Sequence, residues 1–92
     1  MISKVFTVTN KLGLHARPAS LFVQASVQYE CRVQVSKIQN GEEVVVNGKS
    51  VMGLMMLAAS CGEQIKVILD GEGEEAAMEK FGKLFEANFD EE

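Results

Sequence analysis

Two β-rich runs joined by an Asn-Gly pair constrain the fold of this 92-residue chain more than any other feature. The runs Arg32 to Ile38 and Glu43 to Val46 consist largely of β-branched residues, and Gln39-Asn40-Gly41 lies between them. Asn-Gly favours a tight hairpin because both residues tolerate the positive φ angles that such a turn requires. The sequence therefore predicts two antiparallel strands in the middle of the chain.

Strand and helix patterns alternate on both sides of this hairpin, in the order β-α-β-β-α-β-α. No linker or low-complexity segment interrupts them, so the sequence predicts one domain over residues 1–92. Such an order favours a single four-stranded sheet covered on one face by helices. The further strands are predicted at Val5 to Thr9 and Gln64 to Asp70, and the helices at Ala16 to about Gln28, Val51 to Ala59 and Glu74 to about Asn88.

The helical spacings also predict which side chains face the core. The middle helix carries no polar side chain from Val51 to Ala59, so it cannot bury all of its apolar groups, and we expect Met52 and Met56 to be exposed. Exposed methionines suit a surface that meets several partners, although methionines also fill cores. The expected buried faces are Ala19, Phe22, Val23 and Ser26; Val51, Leu54, Met55 and Ala58; and Ala77, Phe81, Leu84 and Asn88.

Charge argues against nucleic acid and membrane partners. The chain has 9 basic and 13 acidic residues, and residues 71–92 alone carry eight acids and two bases. No Lys or Arg cluster is available for phosphate backbones, so nucleic acid is not the expected partner. We interpret the acidic segment as the solvated face of the last helix. Neither a membrane span of about 18 apolar residues nor a signal peptide is present, which predicts a cytoplasmic protein without membrane insertion.

Scarce residues argue against a metal site. His15 is the only histidine, and the two cysteines, Cys31 and Cys61, lie thirty positions apart. Zinc sites need three or four such ligands at close spacing. We therefore expect no metal and no cofactor.

The segment Gly13-Leu14-His15-Ala16-Arg17-Pro18 places a histidine, an arginine and a proline at the start of the first helix. Backbone N–H groups and the helix dipole at such a start hold a phosphate dianion and favour the neutral, nucleophilic imidazole. Arg17 adds a permanent cation that pairs with phosphoryl oxygens. The pattern is that of a phosphorylation site on a histidine nitrogen, but on spacing alone an ordinary exposed histidine and arginine are the more common case.

Gly13-Leu14-His15-Ala16-Arg17-Pro18-Ala19 resembles the phosphohistidine signature of the HPr family, the histidine-containing phosphocarriers of the bacterial phosphotransferase system. Asn47-Gly48-Lys49-Ser50-Val51-Met52-Gly53-Leu54-Met55 resembles the regulatory serine motif of that family. With the order of elements, the resemblance covers essentially the whole chain. It implies an α+β open-faced sandwich, with a four-stranded antiparallel sheet of order 1-4-2-3 and three helices on one face.

The resemblance also implies a function. His15 would accept a phosphoryl group on Nδ1 from phosphorylated Enzyme I, itself charged by phosphoenolpyruvate, and pass it to a IIA protein during sugar uptake. Arg17 would stabilise the transferred group, and Leu21, Met52 and Met55 would dock both partners. The chain would then be an intermediate in phosphoryl transfer and not a stand-alone catalyst.

Two further points remain open in the sequence. Ser50 is explained by helix capping alone, whereas the resemblance implies regulatory phosphorylation there by HPr kinase/phosphorylase. Gly48 and Met56 are closer to proteobacterial HPr and to the nitrogen-branch carrier NPr, so a regulatory phosphocarrier without sugar transport is the alternative. The hairpin around Asn40-Gly41 is longer than is usual in the family, by equal additions that preserve strand register.

Overall fold

The structure, a computed structural model, describes residues 1–91 and contains the predicted elements in the predicted order. A one-turn 3-10 helix follows the last α-helix, and we call this segment, Asn88–Asp90, the C-terminal turn. The strands are β1 (Ile2–Thr7), β2 (Arg32–Gln39), β3 (Glu42–Asn47) and β4 (Gln64–Asp70), and the helices are α1 (Ala16–Ser26), α2 (Val51–Met56) and α3 (Glu74–Glu86).

The four strands form one antiparallel sheet in the order β1-β4-β2-β3, which confirms the expected α+β topology. Alternate residues of the two central strands are buried under the helices, among them Val33 and Val35 in β2 and Val67 in β4. On the other face, apolar side chains such as Val5 and Ile38 are exposed. The sheet is therefore covered on one side only, as an open-faced sandwich requires.

The central hairpin is confirmed. Gln39 pairs with Glu42 across a two-residue turn, in which Asn40 and Gly41 have φ angles of 52° and 81°. Two positive φ angles in succession are the geometry of a type I′ turn, whose twist matches that of the flanking strands. The Asn-Gly pair thus sets the register of β2 and β3.

Phenylalanine pairs join the helices to each other and to the sheet. Phe22 of α1 stacks on Phe81 of α3, with ring centroids 4.3 Å apart, and Phe6 of β1 stacks on Phe85 of α3 at 4.4 Å. Phe89 of the C-terminal turn meets Phe85 edge-on at 4.9 Å. These five rings connect both ends of the chain through one core and anchor the C-terminal turn to it.

Several predicted boundaries differ from the observed ones. β1 is Ile2–Thr7 and not Val5 to Thr9, because its ladder with β4 starts at Ile2 opposite Leu69. Helix α1 ends at Ser26, two residues earlier than predicted. Helix α3 ends at Glu86, because the C-terminal turn that follows has left-handed φ angles. The predicted faces of α1 and α3 largely hold, although Val23, Leu84 and Asn88 are only half-buried and Phe85 is buried in addition.

The prediction for the middle helix was partly wrong. Helix α2 ends at Met56, because Leu57 caps it and Ala58 has a φ angle of 51°. Leu57 is fully buried with Leu54, whereas Met55 and Ala58, expected in the core, are exposed. Exposure of Met52 and Met56, at 68% and 74%, is confirmed.

Side chains of β2 satisfy the carbonyl groups that follow α2. Gln39 Nε2 donates to the carbonyl of Leu57 at 2.7 Å, and Lys37 Nζ donates to that of Ala58 at 3.2 Å. The last carbonyls of a helix lack intrahelical partners and attract cations, so both contacts stabilise its end. The hairpin strand thereby holds the segment after α2 in a fixed position.

Candidate functional site

His15 is the N-cap residue of α1, with extended backbone angles of −81° and −171° and no side-chain capping bond. The first helical hydrogen bond runs from the N–H of Ala19 to the carbonyl of His15. The N–H groups of Ala16 and Arg17 precede it and have no intrahelical acceptor, and Pro18 has no N–H to satisfy. The helix start therefore offers open donors at the positive end of its dipole, beside an imidazole whose side chain is 32% exposed.

The loop that carries His15 rests on the segment after α2. Leu14 is buried, and its N–H donates to the carbonyl of Ala59 at 2.9 Å. Gly13 has a φ angle of 69°, and a Cβ there would lie 2.3 Å from the same carbonyl oxygen. Only glycine fits this left-handed, closely packed position. The loop and the segment after α2 together fix the position of His15.

The imidazole of His15 also contacts the C-terminal segment. Its Nε2 lies 3.1 and 3.0 Å from the two carboxylate oxygens of Glu91, and the amide of Asn10 donates to Glu91 Oε1 at 2.9 Å. The interpretation of the acidic segment as a solvated face of the last helix is therefore wrong for Glu91, since α3 ends at Glu86. No sequence signal indicates this contact, which spans 76 positions.

Arg17 is exposed in the first turn of α1, next to the open helix start. It borders a surface depression with Lys11, Leu12 and Glu91. Within residues 1–91 its guanidinium forms no ion pair. The cation predicted beside His15 is therefore available to an anion bound there.

The three predicted docking residues lie in different surroundings. Met55, 40% exposed, lines a shallow, largely apolar depression together with His15. Met52 is on the same helix and is more exposed, but it does not border that depression. Leu21 of α1 is half-buried and packs against the core. The structure thus brings Met55, among the three, into one surface with the imidazole.

Ser50 caps helix α2, as the capping interpretation predicts. Its Oγ accepts a hydrogen bond from the N–H of Gly53 at 3.0 Å, and its backbone is extended. The preceding Lys49 directs its ammonium to the carbonyl of Tyr29 at 2.7 Å, and Gly48 donates to Val33 at 2.8 Å. The serine therefore sits in a loop whose polar groups already have partners.

Residues 1–91 contain no group of three or more His, Cys, Asp or Glu side chains placed to hold a metal ion. No helix in that part of the chain has the length and apolar character needed to cross a membrane. The candidate chemistry there centres on a single imidazole, open backbone donors and one guanidinium.

Fold and site together define a small α+β domain that presents one histidine at an open helix start. A family model described as "PTS HPr component phosphorylation site" matches residues 2–87. The phosphocarrier protein HPr of Xylella fastidiosa (strain Temecula1) is 46% identical over 92 residues, which cover 100% of this chain and 99% of that protein. HPr of Treponema pallidum is 37% identical over 92 residues and 100% of both chains.

A solved structure supports the same assignment. The crystal structure of HPr-C-His from Thermoanaerobacter tengcongensis aligns with a TM-score of 0.87 at 38% identity, over 100% of this chain and 99% of that one. The chain belongs to the HPr family of phosphocarrier proteins of the bacterial phosphotransferase system.

Proposed function

We propose that this chain carries a phosphoryl group on Nδ1 of His15 from phosphorylated Enzyme I to IIA proteins of sugar uptake systems. Enzyme I takes the group from phosphoenolpyruvate, and the cycle runs in the cytoplasm. The chain stores the group and hands it on, while each partner completes the site in which transfer takes place. It is an intermediate in the transfer and not a catalyst by itself.

The observation that carries the proposal is the uncapped start of α1 at His15. A partly exposed imidazole next to open N–H groups can take a phosphoryl group without breaking an existing helix cap. The proposal assigns the attack on phosphorus to Nδ1, the nitrogen that the family resemblance implies. Phosphoryl transfer depends mainly on positioning and on stabilising charge, and this arrangement supplies both.

Arg17 and the apolar surface complete the proposal. The guanidinium neutralises charge that develops on the phosphoryl oxygens during transfer. Met55 beside His15, the exposed Met52 and the half-buried Leu21 of α1 contribute the docking surface for Enzyme I and IIA. Methionine side chains adapt to differently shaped partners, which suits a carrier that meets a donor and several acceptors in turn.

Incubation with phosphoenolpyruvate and Enzyme I tests the carrier function. The wild type is expected to acquire acid-labile phosphate, and His15→Ala to acquire none. Addition of a IIA protein should then discharge the label. Absence of label on the wild type, or equal label on His15→Ala, would refute the proposal.

We further propose that Ser50 is a regulatory phosphorylation site for HPr kinase/phosphorylase. A phosphate added there would carry about two negative charges at the start of α2, where the helix dipole tolerates them. The change would act on partners that dock on the neighbouring apolar surface, through charge and bulk. With ATP and the kinase, acid-stable phosphate should appear on the wild type and be missing from Ser50→Ala; label that persists in the variant places the modification elsewhere.

Partner specificity tests the proposed branch. The relatives named above carry the name HPr, which favours the sugar branch over the nitrogen branch served by NPr. Rates of phosphorylation by sugar-type and nitrogen-type Enzyme I should therefore differ in favour of the sugar type. Faster charging by the nitrogen-type enzyme would assign the chain to the regulatory branch instead.

A further inference from the structure

The carboxylate of Glu91 contacts the ring of His15, and the proposed carrier cycle makes no use of that carboxylate. A carboxylate can only accept hydrogen bonds, so the facing nitrogen, Nε2, bears the ring proton and Nδ1 keeps a free lone pair. We propose that Glu91 is a positioning residue for His15, holding the imidazole in the tautomer that presents Nδ1 to the phosphoryl group. The inference rests on the proposed function, because only a phosphorylated His15 gives this contact its role.

Asn10 holds the Glu91 carboxylate from the other side. Its side chain is buried, and its amide nitrogen donates to Glu91 Oε1 at 2.9 Å and to the carbonyl of Gly13 at 2.6 Å. An amide nitrogen has two protons, and both are used. Asn10 therefore ties the Glu91 carboxylate to the loop that carries His15. A fixed carboxylate that orients an imidazole is the arrangement by which many enzymes set the tautomer of a reactive histidine.

The C-terminal turn brings Glu91 to this position. Asn88, Phe89 and Asp90 have left-handed φ angles of 52°, 52° and 60°. Asn and Asp adopt this conformation more readily than other residues, so Phe89 bears most of the cost, about 1–2 kcal/mol. Phe89 is 2% exposed and packs edge-on against Phe85, and this burial offsets part of the cost. The turn reverses the chain after α3, so that Glu91 faces His15 and not the solvent.

The contact between Glu91 and His15 matters most during phosphoryl transfer. The Nδ1 lone pair of His15 forms a bond to phosphorus while the N–P bond of the donor phosphohistidine breaks, and the donor nitrogen keeps that electron pair. Nε2 keeps its proton throughout, so the phosphorylated ring is a cation. The carboxylate of Glu91, 3.0 Å from Nε2, stabilises this cation. Without Glu91, phosphorylated His15 is less stable and donates its phosphoryl group more readily.

The first measurement uses the unphosphorylated protein. In the wild type, long-range proton–nitrogen NMR correlations of the imidazole should give a protonated Nε2, with a ring N–H proton protected from exchange with water. Glu91→Ala should lose that protected proton. Glu86→Gln is the control, since it removes an exposed carboxylate from the end of α3 and leaves Glu91 and the C-terminal turn unchanged, and its imidazole spectrum should match the wild type.

The second measurement is the equilibrium of phosphoryl transfer between Enzyme I and this chain. Glu91→Ala should shift it towards phosphorylated Enzyme I by about tenfold, the low end of what a hydrogen bond to a charged group contributes. Glu91→Gln keeps the size and can still accept from Nε2–H, so we expect a smaller shift in the same direction. Glu86→Gln should leave the equilibrium unchanged.

The outcomes separate this inference from the proposed function. No phosphorylation of the wild type refutes the carrier function, while the imidazole spectrum still reports whether Glu91 holds Nε2–H. Normal phosphorylation of the wild type, with Glu91→Ala indistinguishable from it in both measurements, overturns only the inference about Glu91. A transfer equilibrium that favours phosphorylated Glu91→Ala over the phosphorylated wild type, or faster phosphorylation of that variant, overturns it too. In either case the carboxylate would be blocking the site.

Discussion

The starts of α1 and α2 share the same spacing of residues but differ in how they are capped. Gly13-Leu14-His15 leads into α1 and Gly48-Lys49-Ser50 leads into α2, and each places a group that can accept phosphate two residues after a glycine. Ser50 caps its own helix through the N–H of Gly53. His15 forms no cap, and its ring points to Glu91 instead.

For the two roles proposed above, exchange at His15 and modification at Ser50, the difference shows what each role requires. At His15 the helix donors are open, and Arg17 forms no ion pair within residues 1–91. At Ser50 the hydroxyl already accepts a helix N–H, and the nearest cation, Lys49, is bound to the carbonyl of Tyr29. A phosphoryl group can therefore arrive at His15 and leave again without rearranging the helix start, whereas at Ser50 it must replace an existing cap.

The largest expected effect is on the free energy of unfolding and comes from Gly13 and Gly48, the glycines that precede the two helix starts. Gly13→Ala should lower the free energy of unfolding by about 3 kcal/mol, because the new Cβ meets the Ala59 carbonyl and φ is left-handed. Gly48→Ala should cost about 2 kcal/mol, because its Cβ meets the side chain of Val33 at 2.3 Å and approaches the Val33 carbonyl oxygen to only 3.2 Å, at a permitted φ. Urea denaturation measures both.

Gly41→Ala is the control for backbone strain alone, since its φ is 81° and no atom lies within 4 Å of the added Cβ. It should cost about 1 kcal/mol. A cost for Gly13→Ala no greater than that of Gly41→Ala would mean that the His15 loop is not held by its contact with Ala59.

Arg17 should carry the next largest effect, on the rate of transfer. Arg17→Ala is expected to slow phosphorylation of His15 by Enzyme I about 100-fold, the size of effect seen when one donor to a developing charge is removed. Arg17→Lys should recover part of the rate, since it restores charge but not the planar pair of donors. Single-turnover kinetics measure the rates.

Arg32→Ala removes another exposed arginine, at the start of β2, and should leave the rate unchanged. An equal loss in Arg17→Ala and Arg32→Ala would assign the effect to net charge and long-range steering of the partner. A specific role for the guanidinium beside His15 would then be excluded.

The local part of this comparison could be predicted from the sequence. The Asn40-Gly41 turn, the cap at Ser50 and the helix start at His15 depend on residues within four positions of one another, so their pattern is legible without tertiary structure. The strand order followed from the family resemblance and not from the pattern of residues. The sequence predicts the helix start after Gly13, but it does not predict the contact between this loop and Ala59.

The remainder depends on contacts between distant segments. Helix α2 stops at Met56 ahead of the left-handed Ala58, and the segment there is held by Lys37 and Gln39, some twenty positions earlier, which bind the carbonyls of Ala58 and Leu57. The position of Glu91 depends on the burial of Phe89 and on a left-handed conformation that Phe89 itself disfavours. Neither the contacts after α2 nor the turn before Glu91 produces a periodicity or a motif in the sequence. For this reason Met55 was assigned to the core and the acidic segment to solvent.

Changes in helix capping should have a smaller effect on the free energy of unfolding. Removing the cap at Ser50 should lower it, and adding a cap at His15 should raise it. Ser50→Ala removes the bond to Gly53 and should lower the free energy of unfolding by about 1 kcal/mol. His15→Ser adds a capping hydroxyl at an extended N-cap position and should be about 1 kcal/mol more stable than His15→Ala. Equal stability of the two His15 variants would contradict the statement that the start of α1 is open.

The smallest effect concerns the support beneath the His15 loop and depends on pH. The N–H of Ser60 and the ammonium of Lys37 bind the carboxylate of Glu63 and lower its pKa below its usual 4.5. A carboxyl group with a lowered pKa in the folded state stabilises the fold above its unfolded pKa and loses that contribution as the pH falls through the folded pKa. Stability should therefore decline with acidification from about pH 5 downwards.

Glu63→Gln should flatten this decline, whereas Glu86→Gln, an exposed acid at the end of α3, should not. Urea denaturation between pH 3 and pH 7 measures the slopes. The protection factor of the Leu14 N–H, which donates to Ala59 next to Ser60, should fall on acidification in the wild type, once the measured exchange rates are corrected for their intrinsic slowing at low pH. The cap at Gly53 has no titrating partner and should keep its protection, so parallel loss at both amides would indicate global unfolding and not local release of the His15 loop.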